Sequence, residues 1–177
     1  MVTMRRRDVL IGAGSLAVLG GGAAVAFDAV GSDSGTYVDP VDLETLDAPG
    51  SEAGTTTVPD PGRVTFVELF AKWCGICEDM MPALAEASAA VEGVQFVSVT
   101  NEALGTTTTR EDVIEWWRDH DGAWPVAVDA DLALTQRLDA TGVPYAFVID
   151  AENRVSWQHR GASDAEEIIA QIRAVQG

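Results

Sequence analysis

The chain has 177 residues, 47% of them hydrophobic, which suits one well-packed domain with appendages and excludes two. Twenty-eight acids stand against ten arginines and a single lysine, Lys72, for a formal charge of −17. A surface this acidic repels DNA, RNA and anionic membranes, so nucleic-acid binding is excluded; it fits a salt-adapted (halophilic) protein, whose self-repulsion is screened in high salt.

Residues 1–26 read as an export signal rather than as part of the fold. Arg5-Arg6-Arg7 precede an apolar, Gly/Ala-rich run that ends in the small residues Ala24-Val25-Ala26. Arg6-Arg7-Asp8-Val9-Leu10 also resembles the twin-arginine signature of proteins exported already folded. The alternative is an uncleaved N-terminal membrane anchor, since the apolar run 9–26 has 18 residues, the lower edge for a span. Cleavage would remove three arginines and Asp8, a net +2, so −17 becomes −19. Residues 27–38, rich in Gly, Ser and Asp, are expected to form a flexible acidic linker, leaving 39–177 as the domain. The expected address is therefore extracytoplasmic, either secreted or anchored at the cell surface.

Residues 41–46 alternate apolar and acidic side chains as a half-buried strand does, and Pro49-Gly50 marks a turn. Residues 55–58 then supply the returning strand of a hairpin. The nearly continuous apolar run 64–70 predicts a strand covered on both faces, interrupted only by Glu68. A helix follows, with Ile76, Met80, Leu84, Ala87 and Val91 on one face and Pro82 inside it. Residues 94–99 form the next strand. Thr109 with Asp112, or Thr108 with Glu111, offers a capping box for a helix running to Asp119. That helix carries Trp116 and Trp117, which read either as a substrate platform or, for at least one of them, as core. A short strand at 125–128 and a helix at 131–138 come next. Residues 145–149 and 155–158 make a hairpin around the turn 150–153. Ser163 with Glu166 is expected to cap a last helix bearing Ile168, Ile169, Ile172 and Val175. The order β-β-β-α-β-α-β-α-β-β-α implies an α/β fold, a mixed central sheet with helices on both faces.

The only two cysteines stand in Trp73-Cys74-Gly75-Ile76-Cys77, at the strand-to-helix junction. Cys-x-x-Cys in that place is a redox motif. Unpaired N–H groups and the helix dipole favour a thiolate on Cys74. That thiolate attacks a disulfide in another molecule, and Cys77 resolves the mixed disulfide. Two other readings exist. A structural disulfide closing so short a loop is a poor staple. A zinc site lacks ligands, because the only histidines are His120 and His159.

Phe70-Ala71-Lys72-Trp73-Cys74-Gly75-Ile76-Cys77, the helix proline Pro82, Trp124-Pro125-Val126 and the stretch from Thr141-Gly142-Val143-Pro144 to Asp150 together resemble the thioredoxin superfamily. Within it they are most similar to the TlpA-like exported thiol–disulfide oxidoreductases. The resemblance covers residues 41–176 and implies a thioredoxin-like fold with an N-terminal β-hairpin extension. It implies that Cys74 is the exposed nucleophile, Cys77 the buried resolving thiol, and Pro144 the cis-proline lying against the disulfide. The local sequence alone reads Pro144 as an ordinary trans proline opening a strand. By the same resemblance the backbone of Val143 pairs with an extended substrate segment, with Trp73, Gly75 and Ile76 beside it. Glu68 stands where thioredoxins carry a buried aspartate, so it is expected to exchange a proton with Cys77; otherwise its carboxyl reaches solvent at the sheet's end.

Neither Gly75 nor Ile76 is a histidine that could stabilise a thiolate, and Glu78 and Asp79 oppose negative charge on sulfur. This leans the reading toward a reductant. The expected partners are disulfide-containing proteins, apocytochrome c before haem attachment among them, and a membrane thiol donor that restores the dithiol. No cofactor and no resident metal is expected. The competing reading is a copper(I) chaperone using the two thiolates, and a peroxidase stands third.

Overall fold

The computed structural model describes residues 35–105 and 108–177; the expected signal and residues 27–34 of the expected linker lie outside them. Eleven elements follow one another: β1 (Val41–Thr45), β2 (Gly54–Val58), β3 (Thr65–Phe70), α1 (Gly75–Ala90), β4 (Gln95–Thr100), α2 (Arg110–Asp119), β5 (Val126–Val128), α3 (Ala133–Arg137), β6 (Tyr145–Ile149), β7 (Val155–Arg160) and α4 (Ala165–Gln176). The strands form one sheet in the order β2-β1-β5-β4-β3-β6-β7. β3, β4 and β5 run parallel, as helical crossovers through α1 and α2 require. The hairpin β1–β2 adds antiparallel to β5 at one side, and the hairpin β6–β7 adds antiparallel to β3 at the other. This is the mixed sheet and hairpin extension expected from the residue pattern.

Period-two alternation divides the core into two layers. Phe66 and Phe70 of β3 pack with Met80 and Leu84 of α1, Val113 and Trp117 of α2, and Ile168 and Ile172 of α4. Val67 and Leu69 point the other way, to Leu134 and Leu138 around α3. Every residue of β3 is buried, because both faces are covered.

Three local expectations need correction, and one pair of alternatives is decided. Residues 35–38 are not a tether: Tyr37 bridges to Arg154, the Val38 N–H donates to Asn153 O at 2.8 Å, and Val38 is fully buried. The domain thus begins before residue 39. Ile76 does not join the buried face of α1; it stands on the first turn, beyond the reach of the sheet, and is 52% exposed. The last helix is capped by Asp164, whose Oδ1 accepts the Glu167 N–H at 2.8 Å, not by Ser163, whose buried hydroxyl has no partner among the described residues. Among the two alternatives for α2, the box forms at Thr109 and Asp112.

Candidate functional site

The site begins where β3 runs out. After Phe70 the chain turns, with the Cys74 N–H donating to Ala71 O at 3.0 Å, and α1 starts at Gly75. Cys74 is the residue that caps α1: it has extended backbone angles, and its Sγ receives the Cys77 N–H at 3.1 Å. The Cys77 and Glu78 N–H groups also reach Cys74 O, at 3.0 and 3.2 Å. The sulfur of Cys74 therefore receives an N–H from the first turn of α1 at the positive end of the helix dipole, which stabilises a thiolate there. In this structure Cys74 and Cys77 are joined as a disulfide, with Cα atoms 5.2 Å apart. Cys74 retains 7% of its surface and Cys77 1%, so attack from outside falls on Cys74. Cys74, expected to be an exposed nucleophile, is in fact recessed, with Gly75 and two projecting apolar side chains beside it in sequence, Trp73 at 74% exposure and Ile76 at 52%.

Pro144 opens β6 behind a cis peptide bond with Val143, and it is buried while Val143 is half-buried. The structure thus has the cis form and not the trans proline of the local reading. Gly161 N–H donates to Pro144 O at 3.0 Å, which fixes the loop to the end of β7.

Glu68 lies on the sheet face that α1 covers, the face of Phe66 and Phe70, opposite Ser98 of β4 and Ala146 of β6. It is 1% exposed, and neither carboxyl oxygen has a hydrogen-bond partner among the described residues. The alternative in which its carboxyl reaches solvent is therefore excluded. Burial pushes the carboxyl up to about 8, with the Ser98 hydroxyl opposing the shift more weakly. Ser98 Oγ itself accepts the Trp124 indole N–H at 3.0 Å.

The loop before Cys74 has supports that sequence reasoning missed. Glu102 Oε2 accepts the Lys72 N–H at 2.9 Å, and Glu102 Oε1 accepts the Thr108 hydroxyl at 3.1 Å, so one loop carboxylate ties two loops together. Lys72 Nζ lies 3.8 Å from Asp112 Oδ2. No local pattern announces Glu102, because the partner that ties it to the site, Lys72, stands thirty residues away. Trp117 is fully buried core, whereas Trp116 is half-buried, stacked on Phe70 at 5.2 Å and on His120 at 4.4 Å. His120 Nε2 stands 3.4 Å from Glu78 Oε1, beside the disulfide. Among the described residues no cluster of His, Cys, Asp and Glu is arranged to hold a metal, and no helix is long and apolar enough to cross a membrane.

Comparison with solved structures returns the same architecture. A protein of Chlorobium tepidum assigned as thiol:disulfide interchange protein DsbE is 26% identical, covering 81% of this chain and 97% of that one, with a TM-score of 0.64. The exposed lipoprotein thioredoxin of Streptococcus pneumoniae is 22% identical, covering 77% and 99%, with a TM-score of 0.65. StoA of Bacillus subtilis is 15% identical, covering 77% and 98%, also with a TM-score of 0.65. The last two speak to the fold alone. Comparison with curated protein sequences finds no match. The family description Redoxin matches residues 34–174, nearly the whole described domain and both cysteines. A Cys-x-x-Cys disulfide where β3 gives way to α1 of a thioredoxin fold, inside a family match of that extent, makes this chain a member of the Redoxin family and a thiol–disulfide oxidoreductase.

Proposed function

We propose that the enzyme works outside the cytoplasm as a reductant of protein disulfides. The observation that carries the chemistry is the asymmetry of the pair: Cys74 at the helix start with the larger exposure, Cys77 buried, and Glu68 buried on the same face of the sheet. In the reduced enzyme the Cys74 thiolate attacks one sulfur of a substrate disulfide, forming a mixed disulfide and expelling the other sulfur as a thiolate. Cys77 then gives its proton to the Glu68 carboxylate and attacks Cys74 Sγ. The second substrate sulfur leaves, two electrons have passed to the substrate, and the Cys74–Cys77 disulfide of this structure is the product. Glu68 is suited to that exchange because its affinity for a proton lies in the neutral range. Val143, next to the cis-proline, offers backbone for an extended substrate segment, and Trp73, Gly75 and Ile76 line its approach.

The direction rests on what surrounds the sulfurs. The intervening residues are Gly75 and Ile76, with no histidine, and Glu78 and Asp79 follow directly. Less stabilisation of the thiolate gives a less oxidising disulfide. Export is supported by the basic, apolar N-terminus with its small-residue end. Apocytochrome c cysteines awaiting haem are a substrate class of the right chemistry, and a membrane thiol donor returns the enzyme to its dithiol form. Trapping tests the reading. Cys77→Ser expressed in the native cell should hold substrates as mixed disulfides through Cys74, and Cys74→Ser should reduce no disulfide. Native-rate reduction by Cys74→Ser would overturn the mechanism, and capture of cytoplasmic proteins alone would overturn the location.

A further inference from the structure

On a molecule of formal charge −17, positive side chains are scarce, and the described ones are mostly engaged. Arg63, Lys72 and Arg110 pair with carboxylates, while Arg137, Arg154 and Arg173 donate to backbone carbonyls. Among the described residues only Arg118 and Arg160 have neither kind of partner. Arg118 is on the outer surface of α2. Arg160 ends β7 directly opposite Tyr145, the residue after the cis-proline.

The Arg160 guanidinium lies over Gly142. A Cβ at residue 142 would stand 2.9 Å from Nη2, 3.4 Å from Cζ and 3.5 Å from Nε. Three atoms of the planar group are thus close to one backbone position. The next residue is Val143, where the reading above places the substrate's backbone. The guanidinium is exposed, unpaired and next to the segment that a substrate strand would lie along. Its fork of N–H donors matches a carboxylate in two hydrogen bonds.

We propose that Arg160 is a specificity-determining residue that takes an aspartate or glutamate flanking the substrate's cysteine, so that the enzyme prefers acidic disulfide segments. The preference runs against the field of the whole protein, which repels acidic chains at low salt. At molar salt the screening length falls to about 3 Å, so the long-range repulsion is lost while a contact-range pair persists.

The inference rests on the exchange reading, and the test separates the two. C-terminally amidated peptides with one disulfide, flanked by Asp, Asn or Lys, are reduced by the dithiol enzyme in about 2 M KCl. The expected Asp-to-Asn rate ratio is about three to five, with Lys below Asn. Arg160→Gln should bring that ratio to about one and Arg160→Glu should invert it, while Arg118→Gln keeps it. A ratio that survives Arg160→Gln, or a loss shared equally by all three peptides, overturns the proposal. Failure of the wild type to reduce the Asn peptide would instead strike the exchange reading. Redox-inert Cys→Ser peptides, followed by fluorescence anisotropy, then decide the charge preference alone: tighter binding of the Asp form that depends on Arg160 supports it, and equal binding overturns it.

Discussion

Glu68 on β3 and Asp129 just after β5 are both buried carboxyl groups, 1% exposed, on either side of β4, yet their surroundings are opposite. Asp129 follows β5 and accepts the Leu134 N–H at 3.2 Å, the Thr135 N–H at 2.8 Å and the Thr135 hydroxyl at 2.7 Å. It thereby does for α3 what the residue at its N-cap, Leu132, cannot, since Leu132 has no side chain able to cap. Glu68 accepts nothing of full geometry. A buried acid with three donors belongs to the architecture; one with none is a cost that the architecture does not need. The difference supports the proposal that Glu68 is kept for proton traffic.

The largest expected effect comes from removing that cost. Below the ordinary glutamate range both folded and unfolded chains hold the Glu68 proton. Between 4.5 and about 8 the unfolded chain releases it while the folded protein keeps it, so stability contributed by this group is lost across that window and levels off above it. Glu68→Gln should therefore match the wild type at pH 4 in urea denaturation and exceed it at pH 9 by an amount on the order of a few kcal/mol. The same variant should slow disulfide exchange by about tenfold or more. Identical pH slopes for the two proteins would end the comparison.

Asp129→Ala should act in the reverse sense, costing roughly 2–3 kcal/mol because buried donors lose their acceptor, with exchange per folded molecule preserved. A drop in exchange without a drop in stability would move Asp129 into the site. The smallest effect is expected at the exposed counterpart of this cap. Thr109 accepts the Asp112 N–H at 3.1 Å in water's reach, so Thr109→Ala should cost about 1 kcal/mol, read as a shift in denaturation midpoint.

Much of this was legible in the residues, for physical reasons that can be named. The run at 64–70 had no polar face to offer solvent, so its burial on both sides followed. Thr109 and Asp112 satisfy helix N–H groups locally, so the start of α2 was readable. Ser163 and Asp164 are equally able to cap, and only the path of the chain from Arg160 decided between them. Ile76 carried the right spacing for the core but sits on a first turn that overhangs the sheet. Residues 35–38 looked like linker because they close a Gly-, Ser- and Asp-rich stretch; their pairing beside β7 depends on Asn153 and Arg154, more than a hundred residues away. The site's two cysteines were plain, and Glu68 was conspicuous as the one acid in an apolar strand. Glu102 and Arg160 were not, because a loop carboxylate and a strand-end guanidinium acquire meaning only from what folds beside them.

Lys72 is the chain's one lysine, two residues before the nucleophile and 23% exposed in its side chain. Apart from the terminal amine, an amine-directed reagent has a single address on this molecule, and that address is the rim of the active site. A photo-reactive group or dye placed there needs no engineered residue and spares both cysteines. The acidic composition that keeps the protein in solution has, as a by-product, made its working end the easiest place to tag.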